Sequence, residues 1–231
     1  MNKLANFLTF LSLFCGFISL IFSLEHHFTF ASWAIILSVI LDGLDGQIAR
    51  KNTFSSDFGK ELDSLVDVVS FGIAPALLGY IFIYRDFYLW AVVALFIYLL
   101  SSVTRLAKYN ITPKEKLQKF FFGFPTTASG AVLASFILIY RKKDAVALPS
   151  YVPAVFIFLV LILSYLMLCR ARYLNLEGIK QLFGKKIRLF VVGGFLLLAV
   201  ESYFRKAGIT IFSIFLIYLI FSPFVVKRLN S

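Results

Sequence analysis

Residues 41 to 67 read LDGLDGQIARKNTFSSDFGKELDSLVD, and this stretch joins two apolar segments of the chain. Six of the twelve acidic residues of the protein fall within it. Four of the six lie inside or at the edge of the apolar segments, namely Asp42, Asp45, Asp63 and Asp67. A carboxylate in a membrane-spanning helix costs about 2.5 to 3.5 kcal/mol on insertion scales, so such residues indicate a functional site.

The composition of the chain excludes an ordinary soluble domain. Of 231 residues, 60% are hydrophobic and 15% are charged, whereas soluble domains have about 45–50% apolar and about 25% charged residues. The two cysteines, Cys15 and Cys169, lie in apolar runs and are predicted to be buried thiols rather than a disulfide. We therefore predict an all-α integral membrane protein.

Eight apolar runs are separated by charged or turn-rich joints, and each is predicted to be a transmembrane helix. The runs are residues 4–24, 28–49, 62–84, 87–104, 123–140, 151–168, 187–204 and 208–226. The first run lacks a small-residue cleavage site at its C-terminal flank, Glu25–His27. It is therefore predicted to be a retained helix and not a secretory signal.

The distribution of Lys and Arg predicts the orientation in the membrane, because positive residues in short loops tend to stay in the cytoplasm. With the N-terminus inside, 17 of the 23 Lys and Arg residues fall in cytoplasmic segments and six fall outside. Both termini and the link between the second and third spans are then cytoplasmic. Contact of these basic loops with anionic headgroups accounts for the net charge of +11 without a nucleic-acid partner.

The spacing of the four aspartates predicts that they converge. Asp42 and Asp45 are three residues apart, and Asp63 and Asp67 are four apart, so each pair shares one face of its helix. A short link makes the two helices antiparallel and turns the pairs toward each other. Carboxylates this close require cations. Oxygen ligands without His or Cys favour Mg²⁺ or Mn²⁺, and two such ions suit phosphoryl transfer.

The residues between the two pairs predict a phosphate site. Gly46, Ala49 and Gly59 permit close approach to the backbone, and Arg50 offers a planar guanidinium to phosphate oxygens. A cation or proton transporter is the alternative from another class, since intramembrane carboxylates also relay protons. The second half of the chain has no corresponding acidic pair, which argues against a transporter.

The full run, Asp42-x2-Asp45-Gly46-x2-Ala49-Arg50-x8-Gly59-x3-Asp63-x3-Asp67, resembles the signature of the CDP-alcohol phosphotransferases. The resemblance implies a six-helix catalytic core in residues 1–170 and an extension with two further helices in residues 171–231. It implies transfer of a phosphatidyl group from a CDP-linked lipid to an alcohol, with release of CMP. The four aspartates are then predicted to hold two divalent cations, Mn²⁺ or Mg²⁺, with Asp67 as the catalytic base. The predicted CDP-binding residues are Asn6, Asp42, Gly46, Ala49, Arg50 and Gly59.

Three further segments are similar to the serine-accepting branch of that family: Asp63–Ala76, Arg105–Asn110 and Gly123–Pro125. The resemblance implies CDP-diacylglycerol and L-serine as substrates and phosphatidylserine as product. Arg105, Lys108 and Ser70 are the predicted serine-binding residues. Thr126 and Thr127 after Pro125 depart from the branch pattern, so inositol phosphate, glycerol 3-phosphate and choline stay open as acceptors. We expect a bacterial inner-membrane protein with a cytoplasmic active site; the sequence leaves a homodimer open.

The predicted orientation can be tested with single cysteines at Ser56 and at Ser150, in a background lacking Cys15 and Cys169. On intact cells, an impermeant thiol reagent should label position 150 and not position 56, because the basic link around Ser56 is predicted to face the cytoplasm. Labelling at 56 without labelling at 150 would reverse the orientation.

Overall fold

The computed structural model describes residues 3–51, 57–112, 120–140, 149–174 and 207–229. These residues form seven α-helices, one π-helical turn and two short strands. In chain order the elements are α1 (Lys3–Leu24), α2 (Phe28–Lys51), α3 (Asp57–Asp67), the π-helical turn (Val68–Ile73), α4 (Ala74–Ile111), β1 (Phe120–Phe122), α5 (Thr126–Tyr140), α6 (Val152–Leu168), β2 (Arg172–Leu174) and α7 (Ala207–Leu229). The predicted span at 187–204 lies outside the described residues.

Four helical segments of the described part are long and apolar enough to cross a membrane. They are Leu4–Leu24, Phe28–Ile48, Phe58–Ile83 and Tyr88–Ile111. Shorter apolar helices are Thr126–Tyr140, Val152–Leu168 and Ala207–Pro223. The predicted helical membrane architecture is therefore confirmed in outline, while the count of eight spans stays a prediction.

Helix α4 folds back on itself. The Tyr98 hydroxyl donates a 2.8 Å hydrogen bond to the carbonyl oxygen of Phe71, 27 residues earlier. In a straight helix that separation would be about 40 Å, at 1.5 Å per residue. The rings of Tyr80 and Tyr88 also lie only 6.2 Å apart. The chain therefore reverses between Ile83 and Tyr88, where the sequence predicts the joint between the third and fourth spans.

A π-helical turn follows Asp67 directly and was not predicted from the sequence. Its residues Ser70, Phe71 and Gly72 are buried. Single π-helical turns inside α-helices are rare and occur often at functional sites. This one changes the helical phase after the last aspartate, so that the chain beyond Asp67 presents Ser70 to α1.

Small residues bring α1 into close contact with α2 and with the π-helical turn. A Cβ at Gly16 would lie 2.9 Å from the Cα of Ser70, so only glycine permits this approach. The hydroxyls of Ser12 and Ser38 are 2.7 Å apart across the interface of α1 and α2. Small and hydroxyl-bearing residues are the usual means by which membrane helices pack closely. Helix α1 is thereby fixed to α2, which carries Asp42 and Asp45, and to the π-helical turn that follows Asp67.

The predicted start of the fifth span at residue 123 is wrong by three residues, because Gly123 to Pro125 form a turn and α5 begins at Thr126. Gly123 has a φ of +75°, in the left-handed region that favours glycine. The Gly123 amide donates to the carbonyl of Ala171 at 2.9 Å, and the Phe124 amide donates to Leu166 at 2.9 Å. The turn is therefore tied to the end of α6.

Two antiparallel strands support the same turn. Strand β1 pairs with β2 in the register Phe120 to Leu174, Phe121 to Tyr173 and Phe122 to Arg172. The ring of Phe124 packs 5.4 Å from that of Tyr173 and 6.0 Å from that of Tyr218 in α7. Burial raises the pKa of Tyr173 to about 12, so its phenol stays neutral at physiological pH. The end of α6, β2 and α7 therefore all meet at the start of α5.

We expect Gly16→Ala and Gly43→Ala to have opposite effects on stability. Alanine is favoured over glycine inside a helix by about 1 kcal/mol, and a Cβ at Gly43 meets nothing within 4 Å. Gly43→Ala should therefore maintain or raise the unfolding midpoint in detergent. Gly16→Ala should lower it, since overpacking costs about 1–3 kcal/mol. Equal midpoints for the two variants would show that the contact of α1 with Ser70 is not close-packed.

Candidate active site

The site is built where the C-terminal part of α2 meets α3. Helix α2 carries Asp42 and Asp45, and α3 carries Asp63 and Asp67. Carboxylate oxygens of Asp42, Asp63 and Asp67 all lie within 4.8 Å of one another. Asp67 is 9% exposed, and the other two are partly buried. Three of the four carboxylates whose convergence the spacing predicts therefore form one cluster.

The fourth aspartate, Asp45, lies beside this cluster and has a partner of its own. It is 4% exposed, and its Oδ2 accepts a 2.9 Å hydrogen bond from the Thr9 hydroxyl of α1. Its charge still acts on Asp63 and Asp67. Contact with Thr9 fixes the Asp45 carboxylate next to the cluster and joins α1 to the acidic site.

Carboxylate oxygens within 4.8 Å of one another make a suitable donor set for a hard divalent cation. Like charges at this separation repel strongly in a partly buried setting. The cluster therefore has both the ligand chemistry and the electrostatic reason to bind a cation such as Mg²⁺ or Mn²⁺.

The predicted CDP-binding residues lie on α1, α2 and α3. Asn6 is partly buried on α1, one turn before Thr9. Gly46 and Gly59 are also partly buried, on α2 and α3. Ala49 and Arg50 belong to the last turns of α2, and their side chains lie outside the described part of the structure. The assignment of these residues to a CDP-binding site therefore stays a prediction.

Arg105 is the cation that the fold brings to the acidic site. It is 9% exposed, and its Nη1 donates a 2.8 Å hydrogen bond to the hydroxyl of Thr126 at the start of α5. Its charge interacts with those of Asp67 and Asp42. The guanidinium is therefore buried in α4, with the charges of Asp67 and Asp42 in its surroundings.

The other two predicted serine-binding residues have different surroundings. Lys108 is exposed near the end of α4. Ser70 is fully buried, and its hydroxyl donates to the carbonyl oxygen of Ser12 at 3.2 Å. Arg105 is thus buried, Lys108 is exposed near the end of α4, and the Ser70 hydroxyl lies in the packing against α1.

A polar network that sequence reasoning missed joins α3 to the end of α4. Lys60 Nζ donates to the carbonyl oxygen of Asn110 at 2.6 Å, and the side chains of Ser64 and Asn110 exchange hydrogen bonds at 2.9 and 3.1 Å. The sequence gives only an indirect signal of this network. Lys60 and Ser64 lie between the aspartates of α3, and Asn110 lies after Arg105 near the end of α4. The network holds the helix of Asp63 against the helix of Arg105.

Comparison with known proteins agrees with this geometry. The family model described as CDP-alcohol phosphatidyltransferase matches residues 2–166. The CDP-diacylglycerol–serine O-phosphatidyltransferase of Helicobacter pylori (strain ATCC 700392 / 26695) is 30% identical over 187 residues, which cover 81% of this chain and 76% of that protein.

Similar proteins of the same name occur in other organisms. The one from Mycobacterium tuberculosis (strain ATCC 25618 / H37Rv) is 40% identical over 135 residues, covering 56% of this chain and 46% of the relative. The one from Methanocaldococcus jannaschii is 36% identical over 135 residues, covering 58% and 59%. With the family match across most of its length and the carboxylate cluster in place, this chain belongs to the CDP-alcohol phosphatidyltransferase family.

Proposed function

We propose that the protein transfers the phosphatidyl group of CDP-diacylglycerol to the hydroxyl of L-serine, forming phosphatidylserine and releasing CMP. The observation that carries the proposal is the cluster of Asp42, Asp63 and Asp67 with Arg105 buried beside it. The similar proteins from bacteria and an archaeon bear the name of this activity. A site with acids on one side and a buried cation on the other suits an acceptor that has both a hydroxyl and a carboxylate.

Divalent cations, two Mg²⁺ or Mn²⁺ ions, are proposed to bind Asp42, Asp45, Asp63 and Asp67. Three of these residues already present oxygens within 4.8 Å of one another, and Thr9 holds the fourth beside them. When bound, such ions stabilise negative charge on phosphate oxygens. The nucleotide is proposed to contact Asn6 of α1, Gly46, Ala49 and Arg50 of α2, and Gly59 of α3.

Asp67 is proposed to be the general base. It is the most buried residue of the three-carboxylate cluster, and it interacts with the charge of Arg105. Its carboxylate accepts the proton of the serine hydroxyl, and the serine oxygen forms a bond to the lipid-side phosphorus. The bond from that phosphorus to the bridging oxygen breaks, and CMP leaves with the oxygen.

Arg105 is proposed to bind the carboxylate of serine, with Lys108 attracting it from the exposed end of α4. Guanidinium groups bind carboxylates through charge-assisted hydrogen bonds. Choline has no anionic group, and so gains nothing from a buried arginine placed there.

The proposed setting is a bacterial inner membrane, with the active site and both termini on the cytoplasmic side. The concentration of Lys and Arg in the segments next to the motif supports this orientation. A core in residues 1–170 and an extension in 171–231 remain the proposed division, which the family match to residues 2–166 supports.

The base assignment predicts that Asp67→Asn lowers turnover at least about 100-fold, since general base catalysis contributes about 10²–10⁴-fold. Binding of CDP-diacylglycerol should be largely retained, whereas Asp42→Asn, Asp45→Asn and Asp63→Asn should also lose metal-dependent nucleotide binding. Glu61→Gln, an exposed carboxylate of the same helix, is the matched control and should keep normal turnover. An Asp67→Asn enzyme with more than about a tenth of wild-type turnover would exclude the base role.

The acceptor assignment predicts CMP release from CDP-diacylglycerol and Mn²⁺ when L-serine is added, and little release with the other alcohols of the family. The panel should contain inositol phosphate, glycerol 3-phosphate and choline beside serine, because these are the acceptors that the sequence leaves open. Product with one of the other three and none with serine would overturn the acceptor assignment while leaving the reaction class in place. No CMP with any acceptor would overturn the proposed activity itself.

A further inference from the structure

We propose that Thr126 is a positioning residue that holds Arg105 in place for the carboxylate of the acceptor, and so determines which alcohol is used. The inference rests on the proposed function and adds to it a residue that the motif does not contain. Thr126 is 1% exposed and is the first residue of α5.

The first observation is an incomplete set of partners around Arg105. Nη1 donates to the Thr126 hydroxyl at 2.8 Å, whereas the buried Nε has no hydrogen-bond partner among the described residues. An unpaired donor on a buried charged group is costly. A ligand with acceptor oxygens removes that cost, and the carboxylate of serine matches a guanidinium in both charge and shape.

The second observation is that several backbone contacts hold the segment before Thr126 in place. Gly123 adopts a left-handed conformation, and a Cβ there would collide with the carbonyl oxygen of Met167. The amides of Gly123 and Phe124 donate to Ala171 and Leu166. A hydroxyl on such a segment has little freedom to move, so it can fix the direction of the guanidinium.

Aromatic residues from the C-terminal part of the chain complete the support. Phe124 is fully buried between the rings of Tyr173 and Tyr218, at 5.4 and 6.0 Å. Strand β2 and helix α7 thus act on the acceptor side of the site through the turn before Thr126, at a distance from the carboxylate cluster.

The direction of the Arg105 guanidinium affects how serine is oriented for the reaction. The charges of Arg105 and Asp67 interact. In serine, two carbon atoms join the hydroxyl oxygen to the carboxylate carbon. These two carbons limit how far the serine hydroxyl can lie from its carboxylate, so a guanidinium held in one direction by Thr126 restricts where the hydroxyl lies, whereas a mobile guanidinium does not.

The test compares Thr126→Val, which removes the hydroxyl at similar size, with Thr126→Ser, which keeps it. Thr127→Val is the matched control, because Thr127 is the next residue of α5 and is only partly buried. KM and kcat are measured for L-serine and for CDP-diacylglycerol. Serinol, in which a hydroxymethyl group replaces the carboxylate, is the second acceptor.

We expect Thr126→Val to raise KM for serine about ten-fold, in line with the loss of a hydrogen bond to a charged group. KM for CDP-diacylglycerol should not change, and the preference for serine over serinol should fall. Thr126→Ser and Thr127→Val should both behave like the wild type. If Thr126→Val does not fold, Thr126→Ala removes the same hydroxyl without adding volume.

Two results would overturn the positioning role. One is an unchanged KM for serine in both Thr126→Val and Thr126→Ala. The other is a loss shared equally by serine, serinol and CDP-diacylglycerol, which would indicate a general structural defect. Failure of the proposed function looks different, because the wild-type protein would then release no CMP with serine.

Discussion

The structure depends on holding carboxylates of like charge together at one end of a bundle of apolar helices. Asp42, Asp63 and Asp67 have oxygens within 4.8 Å of one another, and carboxylates this close repel one another strongly. Close packing of the helices that carry them opposes this repulsion and keeps the cluster together. The contact of Gly16 with Ser70, the pair of Ser12 and Ser38, and the hydrogen bond from Thr9 to Asp45 all serve this purpose.

On the opposite side, α4 supplies the balancing positive charge. Arg105 is buried next to the cluster, and the network of Lys60, Ser64 and Asn110 keeps its helix aligned with α3. The acidic half of the site therefore depends on α1, α2 and α3, while the basic half depends on α4 and the start of α5. This division matches the two parts of the proposed reaction, since the pyrophosphate needs cations beside carboxylates and the serine carboxylate needs a guanidinium.

Hydropathy and spacing were sufficient to predict most of the helices and the composition of the acidic cluster. The helices around Phe28–Ile48 and Val152–Leu168 are found where long apolar runs predict them, because the length and hydropathy of a run are local properties of the sequence. Spacings of three and four residues likewise predict which aspartates share a helix face.

The features that sequence reasoning missed depend on contacts between distant segments. The π-helical turn after Asp67, the start of α5 at Thr126 and the pairing of β1 with β2 have no periodic signal in the chain. The hydrogen bond from Arg105 to Thr126 joins residues 21 positions apart, and no local pattern predicts it. The spacing predicts that Asp45 joins the cluster like the other three aspartates. Whether its carboxylate accepts a hydrogen bond from Thr9 or binds a shared ion depends on the position of α1 along α2, and spacing does not determine that position.

The most direct test is the binding of Mn²⁺ to purified protein, measured from the electron paramagnetic resonance signal of free Mn²⁺. If the carboxylate cluster is a cation site, wild-type protein will remove Mn²⁺ from solution, Asp63→Asn will remove much less, and Glu61→Gln will match the wild type. Equal uptake by the wild type and Asp63→Asn would contradict the account, because the cluster would then hold no cation and could not stabilise the reacting phosphates.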